Sequence, residues 1–126
     1  MNKWRLKLLP GVYAVTKGNS KPSLFELSNG VLAVISDGKS YTWIGPQDYI
    51  PDSSRVQSGF RALEVEGPLD FELTGVIAGI STVLAEAHVP IFALSSYDTD
   101  YILVPGNKLA AAVAALKAGG YAVLTP

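Results

Sequence analysis

From residue 60 onward the apolar positions switch cleanly between a two-residue and a 3.6-residue repeat. Phe60 to Glu66 places Leu63 and Val65 on one face and Glu64 and Glu66 on the other, which predicts a short strand. Gly67-Pro68 breaks it, and a polar loop through Asp70 and Glu72 leads to Thr74-Gly75. Val76, Ile77, Ile80, Val83, Leu84 and Ala87 then recur at helical spacing and form one apolar stripe. Pro90 ends that helix, because the residue before a proline is pushed out of the α region. Ile91-Phe92-Ala93-Leu94 is a continuous apolar run that reads as an interior strand, and Tyr101-Ile102-Leu103-Val104 is its return strand. Between them Tyr97-Asp98-Thr99-Asp100 has turn chemistry, since Asp side chains bond nearby backbone amides. Pro105-Gly106 stops the return strand. Asn107 is placed to cap a helix carrying Leu109, Ala112, Val113 and Leu116, which Gly119-Gly120 closes before a last strand, Tyr121 to Leu124.

The resulting order, βαββαβ, is the split pattern of ferredoxin-like α+β folds. The first half is less regular. Leu6–Leu9 and Val12–Val15 are strand-like around Pro10-Gly11, and Ser23–Leu27 has room for a turn or two of helix at most. Val31–Ile35 and Tyr41–Ile44 flank Asp37-Gly38, a strong hairpin signal. Pro46 to Ser58 is a polar, proline-containing connection, and the module boundary is expected there: an abbreviated module over 1–58 and a complete one over 59–126. A shift of 60 positions aligns Val31-Leu32-Ala33-Val34 with Ile91-Phe92-Ala93-Leu94, Ser36 with Ser96, Tyr41 with Tyr101 and Ile44 with Val104. The central hairpin therefore has an echo in the first half, consistent with duplication.

Composition narrows the function classes. The 126 residues are 48% hydrophobic and 17% charged, with a formal net charge of -1. The ten Lys and Arg are scattered, so neither a nucleic-acid face nor a polybasic lipid-binding segment is expected. The chain has no cysteine, which removes disulfides, thiolate nucleophiles and sulfur-based zinc sites and suits a reducing cytoplasm. The N-terminus lacks a signal-peptide pattern, and no apolar stretch approaches the roughly 20 residues needed to span a bilayer. A soluble cytoplasmic protein is the expectation.

Specific residues then suggest a family. Ser95-Ser96-Tyr97-Asp98-Thr99-Asp100-Tyr101-Ile102-Leu103-Val104 resembles the Ser-Thr-Tyr-x-Thr-Asp-Tyr/Phe-Ile-Leu-Val signature of the ACT domains in CASTOR-like proteins. Glu66 to Gly75 resembles that family's loop between first strand and first helix, and Leu8-Leu9-Pro10-Gly11-Val12-Tyr13-Ala14-Val15 its usual opening. The resemblance implies tandem ACT modules, assembly as a homodimer, and regulatory binding of an amino acid held between modules. The family's first module commonly carries Thr-x-x-Glu-Leu-Ser; here Ser40 falls where that Glu would stand, and in the repeat alignment it faces Asp100. Arginine specificity, known in eukaryotic relatives, is therefore not carried over.

The candidate site follows from what an amino acid requires. Amides at a helix start are unpaired and lie at the positive end of the dipole, so Thr74, Gly75, Val76 and Ile77 are candidates for holding a carboxylate, with Gly75 allowing close approach. Asp70 and Glu72 are candidate ammonium acceptors, and the amides from Thr74 to Ile77 are expected to be opposed by Ser95, Ser96 and Asp100 on the central strands. The plainer alternative is that Thr74 only caps the helix and the acids are solvated. Asp98 is favoured as a turn residue, while Asp100 reads equally as a ligand group or a structural one. His88, the single histidine, sits at a helix end where positive charge suits the dipole. With no second His and no Cys, neither a transition-metal site nor a catalytic triad is expected, and no Gly-x-Gly-x-x-Gly or P-loop is present. No cofactor is expected. Trp4, Tyr13, Phe25, Trp43, Phe60 and Phe92 read as core. The chain is thus expected to be a non-enzymatic small-molecule-binding regulatory or sensing protein; the alternative is a ligand-free interaction domain that dimerises through its sheets.

Overall fold

The computed structural model describes residues 4–19, 27, 30–50, 55–67 and 74–126. Among these the strands are β1 Arg5–Leu8, β2 Tyr13–Gly18, β3 Ala33–Ser36, β4 Tyr41–Pro46, β5 Val56–Val65, β6 Phe92–Ser95, β7 Asp100–Pro105 and β8 Ala122–Leu124. The helices are α1 Val76–Glu86 and α2 Leu109–Ala118. The chain forms two compact units, one of residues up to Pro10 together with Arg61–Pro126, the other of Gly11–Phe60.

The larger unit has the ferredoxin-like α+β order β5-α1-β6-β7-α2-β8 that the periodicity predicts. One face of its sheet is built from every second residue: Leu6 and Leu8 of β1, Leu63 and Val65 of β5, Ile102 and Val104 of β7. Against it pack Val76, Ile80 and Leu84 of α1 and Ala112 and Leu116 of α2. Ile80, Leu84, Ile102 and Leu116 are completely buried, each contributing about 1.5–3 kcal/mol relative to an exposed side chain. The opposite face carries Glu64, as expected.

Residues 5–8 are not part of a separate first module. β1 pairs antiparallel with β5, Leu6 opposite Val65, and parallel with β8, Leu6 opposite Val123. It lies between the first and last strands of the βαββαβ motif, because Leu6 and Leu8 supply two side chains of the helix-covered face. The two units divide within β5, between Phe60 and Arg61, and the opening strand belongs with the later residues.

Helix endings also follow local chemistry. At the end of α1, His88 N–H donates to Ala85 carbonyl at 3.0 Å and Val89 N–H to Leu84 carbonyl at 2.9 Å. At the end of α2, Gly120 N–H donates to Lys117 carbonyl at 3.0 Å and Tyr121 N–H to Leu116 carbonyl at 2.9 Å. Both are Schellman endings, which require a left-handed residue; Gly120 adopts φ 93° and His88 φ 59°. The helix therefore stops at the His88 turn, ahead of Pro90. The cap predicted at Asn107 is not formed: Gly106–Lys108 make a 3-10 turn, and Lys108 is the N-cap of α2 without a side-chain hydrogen bond.

In the smaller unit β2 lies between β4 and the first residues of β5, and β3 pairs with β4. β5 starts at Val56, inside the stretch expected to be a connection; Val56 and Gln57 pair with Thr16 and Val15, a non-local gain that alternation does not reveal. Tyr13 is fully buried and its hydroxyl accepts the Val31 N–H at 3.2 Å. Trp43 is buried as expected, Phe60 and Phe92 are half-buried, and Trp4 is exposed, contrary to a core role. Phe25 and the 23–27 turn, Leu27 apart, lie outside the described residues.

The hairpin β3–β4 repeats β6–β7 at a spacing of 59 residues, not 60. Ala33 pairs with Ile44 as Phe92 does with Leu103, and Ser36 with Tyr41 as Ser95 does with Asp100. A 3-10 turn follows both, entered by Pro46 and Pro105 with the same backbone conformation. The counterpart of Ser40 is therefore Thr99, and that of Asp100 is Tyr41. The copies part afterwards: Leu109 continues in the α region, whereas Ile50, which precedes a proline, is extended.

Candidate functional site

The turn between β6 and β7 is held by its own hydroxyls. Ser96 N–H donates to Thr99 carbonyl at 2.8 Å, Ser96 Oγ donates to the same carbonyl at 3.0 Å, and Thr99 N–H donates to Ser96 Oγ at 3.3 Å. In the equivalent turn of the smaller unit Asp37 plays this part, accepting Lys39 and Ser40 N–H on Oδ1 at 2.8 Å each. Those two amides hold the Asp37 carboxyl below its ordinary value of 3.8. The Asp98 turn role predicted from sequence thus falls to Ser96. Asp98 is exposed.

Thr99 fixes where this turn lies. It is 6% exposed, and its Oγ1 donates to the carbonyl of Val65, the last residue of β5. The 96–99 turn is thereby fastened to the end of the strand that leads through Gly67 towards α1. A depression of about 400 Å³ results, lined by Glu64, Gly67, Ser96, Asp98, Thr99 and Tyr101. Its side chains include two carboxylates, Glu64 and Asp98. The hydroxyls of Ser96 and Thr99 are engaged within the fold, so the depression chiefly offers carboxylate oxygens, which suit an ammonium or other cationic group of a ligand.

The predicted residues divide into groups. Ser96 lines the depression. Ser95 Oγ instead donates to Asp100 Oδ1 at 2.7 Å, a cross-strand pair on the helix-covered face of the sheet. Asp100 is half-buried there, as its alternation with Ile102 and Val104 implies. At the start of α1, Gly75 is exposed with φ 82° and is itself the N-cap, so Thr74 does not cap the helix. The side chain of Val76 is buried in the core and Ile77 packs against it, leaving only their backbone amides for a ligand. These helix-start residues are not in the described lining of the depression. Asp70 and Glu72 lie outside the described residues. Sequence reasoning did not place Glu64 at a site and read Thr99 only within the 97–100 turn, not as its anchor; the Ser-x-x-Thr spacing of 96–99, matching Asp-x-x-Ser at 37–40, was the available signal for the latter.

Among the described residues, no His, Cys, Asp and Glu cluster is placed to hold a metal ion, and no helix is long and apolar enough to cross a membrane.

Residues 55–118 match the sequence profile of the ACT domain. A crystal structure of an Agobacterium tumefaciens protein is similar over 100% of this chain and 96% of its own, with TM-score 0.86 and 23% identity. A Vibrio cholerae protein of unknown function matches over 94% and 91%, with TM-score 0.69 and 20% identity. The regulatory subunit of aspartate kinase from Thermus flavus matches over 94% and 97%, with TM-score 0.58 and 11% identity.

Proposed function

This chain belongs to the ACT domain family, and on that premise we propose that it is a non-catalytic regulatory protein that binds a small metabolite, an amino acid in the first instance. The observation that carries this reading is the depression at the end of β5, where Glu64 and Asp98 present two carboxylates beside a turn anchored by Thr99. These acids receive the ammonium group. The amides opening α1 at Val76 and Ile77 are the donors for the carboxylate in this reading, since helix starts favour anions. The regulatory role is also supported by the fold shared with the aspartate kinase regulatory subunit.

The test is thermal unfolding of the full chain against the twenty amino acids. A ligand at 100 times its dissociation constant adds about 2.7 kcal/mol, a rise on the order of 10 °C for a chain of this size. The response should weaken at least tenfold in Glu64→Gln/Asp98→Asn. No shift across the panel, or an unchanged response in that variant, rejects the reading.

A second reading, an interaction domain assembled as a homodimer, is favoured by one feature. Among the described residues β6 pairs with β7 alone, and Tyr97 at its end is 79% exposed. Such an edge invites a strand from a second copy. Equilibrium sedimentation with and without the stabilising amino acid separates the readings: a ligand-independent dimer with no thermal shift supports the second.

A further inference from the structure

We propose that Lys7 sets the specificity of the depression at Glu64 and Asp98, admitting a ligand with one ammonium group and refusing one with a second cationic group, such as a basic amino acid or a diamine. This inference deepens the reading above and rests on it. The register of β1 with β5 sets Lys7 directly opposite Glu64, between the pairs Leu6–Val65 and Leu8–Leu63. Those four apolar residues belong to the helix-covered core, so alternation sends Lys7 and Glu64 together to the other face. Side chains directly opposite on antiparallel strands stand about 5 Å apart at Cβ and interact.

The same face of the same two strands shows such a pair when it closes. Arg5 holds Glu66, Nε to Oε2 at 2.8 Å and Nη2 to Oε1 at 3.0 Å. Among the described residues no equivalent ion pair joins Lys7 to Glu64. Lys7 is exposed, whereas Glu64 is half-buried and lines the depression with Asp98. Lys7 therefore acts on the depression from the neighbouring strand, as a positive charge beside its rim. Glu64 and Asp98 bring two negative charges, Lys7 offsets one of them, and the rest of the lining is uncharged. The balance is met by a single ammonium. A second cationic group finds no acceptor left and lies within reach of Lys7, well inside the roughly 10 Å over which salt screens a charge. Discrimination of this kind comes from the repulsive element, Lys7, added to the attractive one.

The experiment follows thermal unfolding of the full chain and of its Lys7→Gln and Lys7→Arg variants against the twenty amino acids. Norleucine is added as the counterpart of lysine without the second ammonium. In the native chain lysine and arginine should bind about tenfold more weakly than the best amino acid with an uncharged side chain, and norleucine better than lysine. Lys7→Gln should cut that difference several-fold by raising the affinity for lysine and arginine. Lys7→Arg keeps the charge and should preserve it. In the native chain the preference should also narrow as sodium chloride is raised, a readout that needs neither variant. Lysine or arginine binding as tightly as the uncharged amino acids, or a preference that Lys7→Gln leaves unchanged, overturns the proposal while the ammonium-binding reading stands. No response to any amino acid rejects that reading and this inference with it.

Discussion

His88 and Gly120 occupy the same position in the same helix ending. Each is the left-handed residue of a Schellman motif, and each is followed by a buried residue, Val89 or Tyr121, whose amide returns to the helix. Only the glycine reaches that conformation without steric cost; an L-residue there loses about 1–2 kcal/mol. His88 is exposed, and its carbonyl accepts Lys108 Nζ at 2.9 Å, a contact made by backbone that any residue would preserve.

Replacing His88 by glycine should therefore stabilise the protein by about 1 kcal/mol, raising the melting temperature by roughly 3–5 °C. Gly120→Ala should shift it as far the other way. Urea unfolding of the pair checks both signs, and a neutral or destabilising His88→Gly would contradict the strain argument.

Thr99→Val should cost about 1–3 kcal/mol, because it deprives the Val65 carbonyl of a donor in a buried place. Thr99→Ser keeps the hydroxyl and should lose much less. If valine and serine behave alike, the bond does not hold the turn to β5.

Asp37 sets an acid-side dependence. Its folded-state value is depressed by the Lys39 and Ser40 amides, so its stabilisation is present above the ordinary value near 3.8 and is lost as pH falls through the lower folded value. Asp37→Ser, which imitates Ser96 in the equivalent turn, should flatten stability against pH in that acid window and lower stability modestly at neutral pH, where the carboxylate's contribution is fully present. Urea midpoints measured from pH 2 to pH 7 would expose the opposite outcome, an unaltered acid slope.

Gly79 and Tyr121 should couple. A Cβ on Gly79 would meet the Tyr121 hydroxyl oxygen at 2.7 Å, and Tyr121 is buried with little room to yield. Alanine normally gains about 1 kcal/mol over glycine inside a helix. Gly79→Ala is expected to be unfavourable in the native background and to improve by about 1 kcal/mol in Tyr121→Phe, a sign of contact that a double-mutant cycle reads directly. Simple additivity would refute the contact.

The legible parts of this molecule were those with local causes. The stripe Val76-Ile80-Leu84 announces its helix, and Leu63 and Val65 their strand face. Pairing partners are not local, so neither β1 between β5 and β8 nor the early start of β5 at Val56 could be read. The repeat slipped by one residue for a physical reason: Val31-Leu32-Ala33-Val34 is apolar at every position, so a one-place shift changes no similarity although it reverses every face. The candidate depression was half visible. Ser96 stood in the signature, while Glu64 joins it only through the packing of β7 on β5.

The parallel pairing of Leu6 with Val123 ties together residues from opposite ends of the sequence. During synthesis, the strand at Arg5–Leu8 must wait for the strand at Ala122–Leu124 before its unit can close. Until then Leu6 and Leu8 have no β8 beside them, and a chain halted before residue 122 presents a sheet with a missing border. Contacts of such long separation slow folding because loop closure precedes any compensating burial. The same tie makes residues 59–126 an incomplete unit on their own, lacking the strip of backbone that lies between their outermost strand and the rest.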